Sequence, residues 1–225
     1  MVKRETAEPS PRRGIIVVDD HPLFRKGVVQ MLSQEQDLEV RAEAENSLSA
    51  LEAMRRIPVD LAIVDIGLHG STNGIELTKM IKAEHPEVPI LVLSMHDESL
   101  YADRALRAGA RGYLMKREAL DSVIAAVRTV LAGDIYVSPV MQKRMIAEHV
   151  GAAGQPRSPV EKLTDRELEV LQLIGEGSEV REIAAKLHVS AKTVEAHRAH
   201  IKEKLDLKNA REVVRFATTW VNSQR

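Results

Sequence analysis

The sequence predicts an α/β domain, a doubly wound five-stranded parallel sheet, followed by an all-α domain of four helices. Three observations predict it. Short apolar runs alternate with helical patterns five times between residues 14 and 132. A stretch rich in Gly, Ala, Pro and Ser, GAAGQPRSP over 151–159, then interrupts the pattern. Beyond Leu163 the periodic segments all have helical spacing.

The strands read as IIVV (15–18), VRAEA (40–44), LAIV (61–64), ILVL (90–93) and GYLM (112–115). Continuous apolar runs such as the first, third and fourth mark strands buried on both faces, as in a parallel sheet covered by helices. Helical patterns at 22–34, 46–57, 74–85, 97–109 and 119–132 supply the crossovers that parallel strands require. Residues 1–13 contain Pro and Arg and no core face, and read as a disordered tail. The α/β domain is placed at 14–137 and a linker carrying a short helix, 139–149, at 138–160. The helical domain is placed at 161–225. In it Thr164 and Glu167 of LTDREL form a capping box that opens a helix, and GEGS (175–178) stops it. Three more helices follow at 180–187, 191–205 and 209–220.

Composition excludes several classes. The chain has 225 residues and no cysteine, so disulfides, thiolate zinc sites and cysteine nucleophiles are excluded. No apolar run approaches the ~20 residues needed to span a bilayer. The start, MVKRETAEPSPRRG, lacks the apolar segment of a secretion signal, so a cytoplasmic location is expected. Residues 14–137 hold 13 Lys and Arg against 19 Asp and Glu, a net of −6, whereas 181–208 hold 7 against 4, a net of +3. An acidic front and a locally basic back suggest two jobs, and permit nucleic-acid binding by the second.

The chemistry concentrates at strand ends. In open parallel sheets, sites form beyond the carboxyl ends of the strands. Asp19 and Asp20 end the first strand, Asp65 the third, Ser94 the fourth, and Lys116 follows the fifth. Taken singly, an aspartate at a strand tip is ordinarily a turn or helix cap. Five complementary groups at strand ends point instead to one crevice. Three carboxylates with one lysine remain underneutralised, and a divalent cation resolves this. Oxygen ligands without His or Cys suit Mg2+, which keeps several waters and pairs with one or two carboxylates and a phosphate oxygen. The set describes a phosphoryl-transfer site with one aspartate as nucleophile.

The helical domain contains REIAAKLHVSAKTVEAHRAHIKEK over 181–204. Its two helices, joined by the short turn HVS, have helix-turn-helix spacing, with Ser190 as N-cap of the second. On that helix Val194, Ile201 and Leu205 share a core face. Lys192, Glu195, Ala196, Ala199 and Glu203 lie roughly opposite. The alanines allow close approach to a groove, Lys192 can reach phosphate and Glu195 can accept from a cytosine amino group. A generic helical bundle with a solvated charged face fits the same pattern.

Residues 14–132 resemble the receiver domain of bacterial two-component response regulators, through VVDDHPLFRKGV, IVDIGL, LVLSMHDE and AGARGYLMK. Residues 161–220 resemble the LuxR-type DNA-binding domain, through LTDRELEVLQLIGEG and REIAAKLHVSAKTVEAHRAHIKEKL. Together they resemble the NarL/FixJ class of transcriptional regulators. The resemblance implies that Asp65 accepts phosphate from a sensor histidine kinase. It implies Mg2+ on Asp20, Asp65 and the Gly67 carbonyl, with Asp19 acting through water. Lys116 would contact the phosphoryl group, and Ser94 and Tyr113 would form a switch pair. Tyr113 also reads as an ordinary strand aromatic with a solvated hydroxyl. On DNA, Glu195, Ala196 and Ala199 would face bases, and Lys192, Thr193, His197 and Arg198 would face phosphates. Partners implied are double-stranded DNA, RNA polymerase and a second copy of the chain in a homodimer, with no membrane. Two departures stand out: His69 occupies a position where the family usually has proline, and the loop after Asp65 reads one residue longer than the family's. The competing readings are an aspartyl-phosphate hydrolase, which would need a D-x-D loop and a lid, and a receiver whose tail only dimerises. A docked, unphosphorylated receiver that obstructs the 191–205 helix is the expected control.

Overall fold

The computed structural model describes residues 12–68, 72–95, 98–118, 120–149 and 159–223. Most of the tail, the linker stretch 150–158 and residues 69–71, His69 among them, lie outside them. Five strands, β1 (Arg13–Val18), β2 (Leu38–Ala44), β3 (Leu61–Asp65), β4 (Ile90–Ser94) and β5 (Gly112–Met115), alternate with five helices. These are α1 (Pro22–Leu32), α2 (Ser47–Arg56), α3 (Gly74–Glu84), α4 (Glu98–Arg107) and α5 (Leu120–Leu131). The strands pair in parallel in the order β2-β1-β3-β4-β5. β1 begins at Arg13, within the segment read as tail, and its N-terminal end is held by Arg13 N–H donating to Asp37 O at 2.9 Å.

Side-chain alternation along β1 feeds two cores. Ile15 and Val17 pack with Val28 and Leu32 of α1 and Val123 and Val127 of α5. Ile16 and Val18 face α2, α3 and α4, with Leu51, Ile75 and Tyr101. Each central strand is therefore apolar on both faces and turns polar only at its tip. That is why the ionisable residues of β1 and β3 collect at one edge.

After α6 (Pro139–His149) a 3-10 turn, Pro159–Lys162, leads into α7 (Asp165–Gly175), α8 (Val180–Lys186), α9 (Ala191–Lys204) and α10 (Ala210–Ser223). The capping box is present: Glu167 N donates to Thr164 Oγ1 at 3.3 Å and Thr164 N to Glu167 Oε2 at 2.7 Å. Val213, Ala217, Trp220 and Val221 of α10 close the core, while Val214 is exposed. α10 crosses α7 at Gly175, where an added Cβ would lie 2.4 Å from Val221 Cγ2 and 2.5 Å from the Ala217 carbonyl oxygen. Gly175→Val should therefore force the helices apart at a cost of about 1–3 kcal/mol. Thermal unfolding followed through Trp220 fluorescence should begin several degrees lower, and an unchanged transition would contradict this packing.

The second domain docks on the first. Val160, Leu163 and Leu168 join the same apolar cluster as Ile75 and Tyr101. Arg104 of α4 donates to Leu163 O at 2.8 Å, Val160 O at 3.0 Å and Asp165 Oδ1 at 2.9 Å. Lys79 of α3 lies 3.6 Å from Asp165 Oδ2. The receiver's polar contacts fall on the start of α7 and the turn before it, beside the 191–205 helix. The charges also run opposite to the domains' net charges: cations of the acidic domain meet acids of the other. Net charge sums over faces that never meet, so it does not report the sign at a particular contact.

Candidate functional site

β1 and β3 are neighbours, with Val18 beside Val64, so their tips bring Asp19, Asp20 and Asp65 together. Their ligand-capable atoms and that of His21 lie within 4.8 Å of one another. Asp19 and Asp65 are buried, and the Asp20 side chain is equally covered. Lys116, beyond β5, reaches across to Asp65 Oδ2 at 2.6 Å and Asp19 Oδ2 at 2.8 Å. Its ammonium lies 4.6 Å from the centroid of the Phe24 ring, which walls one side. Asp65 Oδ1 accepts from Gly67 N at 3.2 Å. Asp19 Oδ1 accepts from His21 N at 2.8 Å.

The balance of charge is unfavourable as it stands. Burial pushes the Asp65 carboxyl up, Lys116 acts against this, and Asp19 adds to it. Three buried carboxylates facing a single ammonium fit a divalent cation held by oxygen. One more ligand-capable group stands beside the expected donors. His21 was not among the sequence candidates, yet its Nδ1 lies 2.6 Å from Asp20 Oδ1 and 3.7 Å from Asp65 Oδ2. Its signal was its place directly after the aspartate pair, where the chain turns into α1.

Ser94 ends β4 and is fully buried, and its carbonyl accepts from Lys116 N at 2.8 Å. Tyr113 is 1% exposed, which removes the reading of a solvated strand aromatic. It packs in the same cluster as Tyr101.

In the helical domain the turn between α8 and α9 contains His188 in the left-handed region, φ 50°. Ser190 Oγ caps α9 by accepting from Thr193 N at 3.0 Å. Val194 and Ile201 are buried, while Lys192, Glu195, Ala196 and Ala199 are exposed on one face. Thr193, His197 and Arg198 are half-buried on its flanks. Arg198 donates to Glu195 Oε1 at 2.9 Å. Burial holds the His197 imidazole below its ordinary pKa, and Arg166 pushes the same way. Glu76 and Lys79 of α3 line a cleft together with Thr193 and His197. The receiver thus stands beside the flank of α9 and leaves the exposed face uncovered.

Fold and site together define a two-domain regulator, an acid-and-lysine pocket coupled to a helix-turn-helix. Residues 15–128 match the response regulator receiver domain, and residues 161–217 match the luxR family of bacterial regulatory proteins. The chain is 38% identical over 207 residues to Oxygen regulatory protein NreC of Staphylococcus carnosus, covering 90% of this chain and 95% of that protein. NreC of Staphylococcus aureus is 36% identical over the same length. Among solved structures, RcsB of Salmonella typhimurium superposes with a TM-score of 0.66 at 25% identity, covering 93% of this chain and 98% of that one. RcsB from Salmonella enterica serovar Typhimurium bound to promoter rprA in the presence of the phosphomimetic BeF3- matches with a TM-score of 0.62 at 26% identity, covering 92% and 98%. The chain belongs to the NarL/FixJ class of two-component response regulators. It is a phosphorylation-dependent, DNA-binding transcription regulator and not an enzyme. No helix among the described residues is long and apolar enough to cross a membrane.

Proposed function

We propose that Asp65 is the phosphoacceptor and that its phosphorylation by a sensor histidine kinase frees the DNA-binding domain to grip DNA. The observation that carries this is the seat of Asp65 itself. One oxygen lies 2.6 Å from the Lys116 ammonium, and the carboxylates of Asp19 and Asp20 lie beside it at the sheet's carboxyl edge. An Asp65 carboxylate oxygen attacks phosphorus, the P–N bond to the kinase histidine breaks, and that imidazole keeps the electron pair and takes a proton. Lys116 then bonds a phosphoryl oxygen, as does the Ser94 hydroxyl, and Tyr113 fills the space behind it. Asp20, Asp65 and the Gly67 carbonyl would hold Mg2+, with Asp19 bound through water. The ion, when bound, supplies positive charge against the incoming phosphoryl group.

The output lies at α9. Glu195, Ala196 and Ala199 face bases and Lys192, Thr193, His197 and Arg198 face phosphates, with Glu195 free to select cytosine once Arg198 turns to the backbone. In the docked form, α3 stands where one DNA strand would pass Thr193 and His197. Phosphorylation relieves this and favours a homodimer on a repeated half-site, for which exposed Val214 of α10 is a seam residue. The protein works in the cytoplasm, with RNA polymerase as its downstream partner. Acetyl phosphate with Mg2+ should add one phosphate, read by intact mass, and chelation of the metal should abolish it. Equal uptake in the presence of chelator would contradict the metal's role.

A further inference from the structure

A buried polar pair between the domains belongs to neither the acid pocket nor the recognition helix. Asn73 is 2% exposed and Glu169 6% exposed. Asn73 Nδ2 donates to Glu169 Oε1 at 3.1 Å, joining residues 96 apart in the chain. Each partner is tied on its own side. Asn73 Oδ1 caps α3 by accepting from Glu76 N at 2.9 Å. The next residue, Gly74, donates its N–H to Ile66 O at 2.9 Å and presses directly on the Asp65 carbonyl oxygen. Glu169 Oε2 accepts from Arg166 Nη1 at 2.8 Å, and Arg166 Nη2 donates to Leu187 O at 2.6 Å, at the end of α8. A polar path therefore runs from the Asp65 backbone to the turn that aims α9.

We infer that Asn73 is a positioning residue that latches the DNA-binding domain to the acceptor loop through Glu169, and that phosphorylation of Asp65 breaks the latch. The inference rests on the docking control proposed above and adds the contact through which it is exerted. A buried carboxylate is tolerated only when its oxygens are paired. Arg166 travels with Glu169 wherever the domain goes, so the receiver's contribution is the Asn73 N–H. Burial pushes the Glu169 carboxyl up, with Arg166 and Asn73 acting against it, so the carboxylate is held at a cost that this donor offsets. The chain from Asp65 to Asn73 starts at the acceptor, and a phosphoryl group brings negative charge and three oxygens to its first residue. A small shift of the Asn73 amide suffices, because hydrogen bonds weaken steeply with distance and angle. The carboxylate then regains its hydration only if the domain moves away.

The test uses the full, unphosphorylated chain and a random-sequence DNA duplex at one fixed low salt, since phosphate contacts make affinity salt-dependent. Asn73→Asp keeps a capping oxygen for α3 but sets a second carboxylate against Glu169, and two such charges cannot both stay buried and ionised. Affinity should rise about tenfold, within the range of allosteric couplings, and the amides of α7 should exchange faster. Adding Glu169→Gln restores a hydrogen bond with donor and acceptor exchanged, so the double variant should return to about the parent affinity. Arg104→Glu breaks docking away from Asn73 and serves as reference. If Arg104→Glu raises affinity and Asn73→Asp does not, the latch is wrong and docking stands. If neither does, docking itself fails. If Asn73→Asp raises affinity and Glu169→Gln does not reverse it, residue 73 acts through something other than Glu169, and the latch is overturned.

Discussion

Asp65→Asn should take up no phosphate from acetyl phosphate and should be at least as heat-stable as the parent. The amide has no carboxylate oxygen to attack phosphorus, so intact mass should show no added phosphate. Its stability follows from the charge it removes. The Asp65 carboxyl is pushed above its ordinary range by burial. A group whose folded pKa is raised costs the folded state stability in its ionised form, a penalty present at neutral pH and relieved as pH falls through that raised value toward the ordinary one. Asparagine keeps the shape and an oxygen for the Gly67 N–H, and Lys116 retains Asp19 at 2.8 Å. The variant should gain about 1 kcal/mol, a few degrees in melting temperature. Mg2+ should raise the melting temperature of the parent more than that of the variant. Phosphate uptake equal to the parent's would refute the assignment, and a large fall in melting temperature would refute the electrostatic reading.

Gly74→Ala should damage fold and site together. An added Cβ at Gly74 would lie 1.9 Å from the Asp65 carbonyl oxygen and 2.7 Å from the Ile66 Cα. Every one of these neighbours is backbone, so no rotamer change relieves the clash. Either α3 moves outward, losing the Gly74 N–H to Ile66 O bond, or Asp65 is displaced from Lys116. The cost should be about 3 kcal/mol or more, about 10 °C in the receiver's melting temperature. Phosphate uptake should slow at least as sharply. Gly27→Ala is the control: Gly27 lies within α1 and nothing lies within 4 Å of its added Cβ. It should gain about 0.5–1 kcal/mol from helix propensity. Equal behaviour of the two variants in calorimetry would show that the approach of α3 to Asp65 is not tight.

The acid pocket was legible because of how parallel strands are built. A strand covered on both faces is apolar until it leaves the sheet, so Asp19, Asp20, Asp65, Ser94 and Lys116 each stand out after an uninterrupted run. The helix-turn-helix was legible for a similar reason, with Ser190 as cap and Val194 and Ile201 marking the inner face of α9. His21 stands at the N-cap position of α1, where a histidine carries no sign of a site, yet its imidazole makes no cap bond and turns to Asp20 instead. The domain interface was not legible at all. Glu169 sits in a run, RELEVL, that reads as an amphipathic helix with its acids in water, yet it is buried and bonded to Asn73 of the receiver. Arg104 looks like one more cation on an exposed helix face, yet it gathers two carbonyls and Asp165. Periodicity tells which face of an element is apolar. It carries no information about which polar residues of two domains will meet, and contacts over a separation such as 96 residues leave no local trace. The same limit applies to α10, where Val213, Ala217 and Trp220 are buried in the core while Val214, at the same helical spacing, stays exposed.

The most direct measurement is the affinity of the full chain for a DNA duplex before and after treatment with acetyl phosphate and Mg2+, at one salt concentration, with Asp65→Asn treated alongside. Phosphorylation should tighten binding by the parent about tenfold, a coupling of ordinary size between two sites, and leave the variant unchanged. Equal affinity of the parent before and after one phosphate has been added, or an equal gain in the variant, would contradict the claim that Asp65 controls the grip of α9 on DNA.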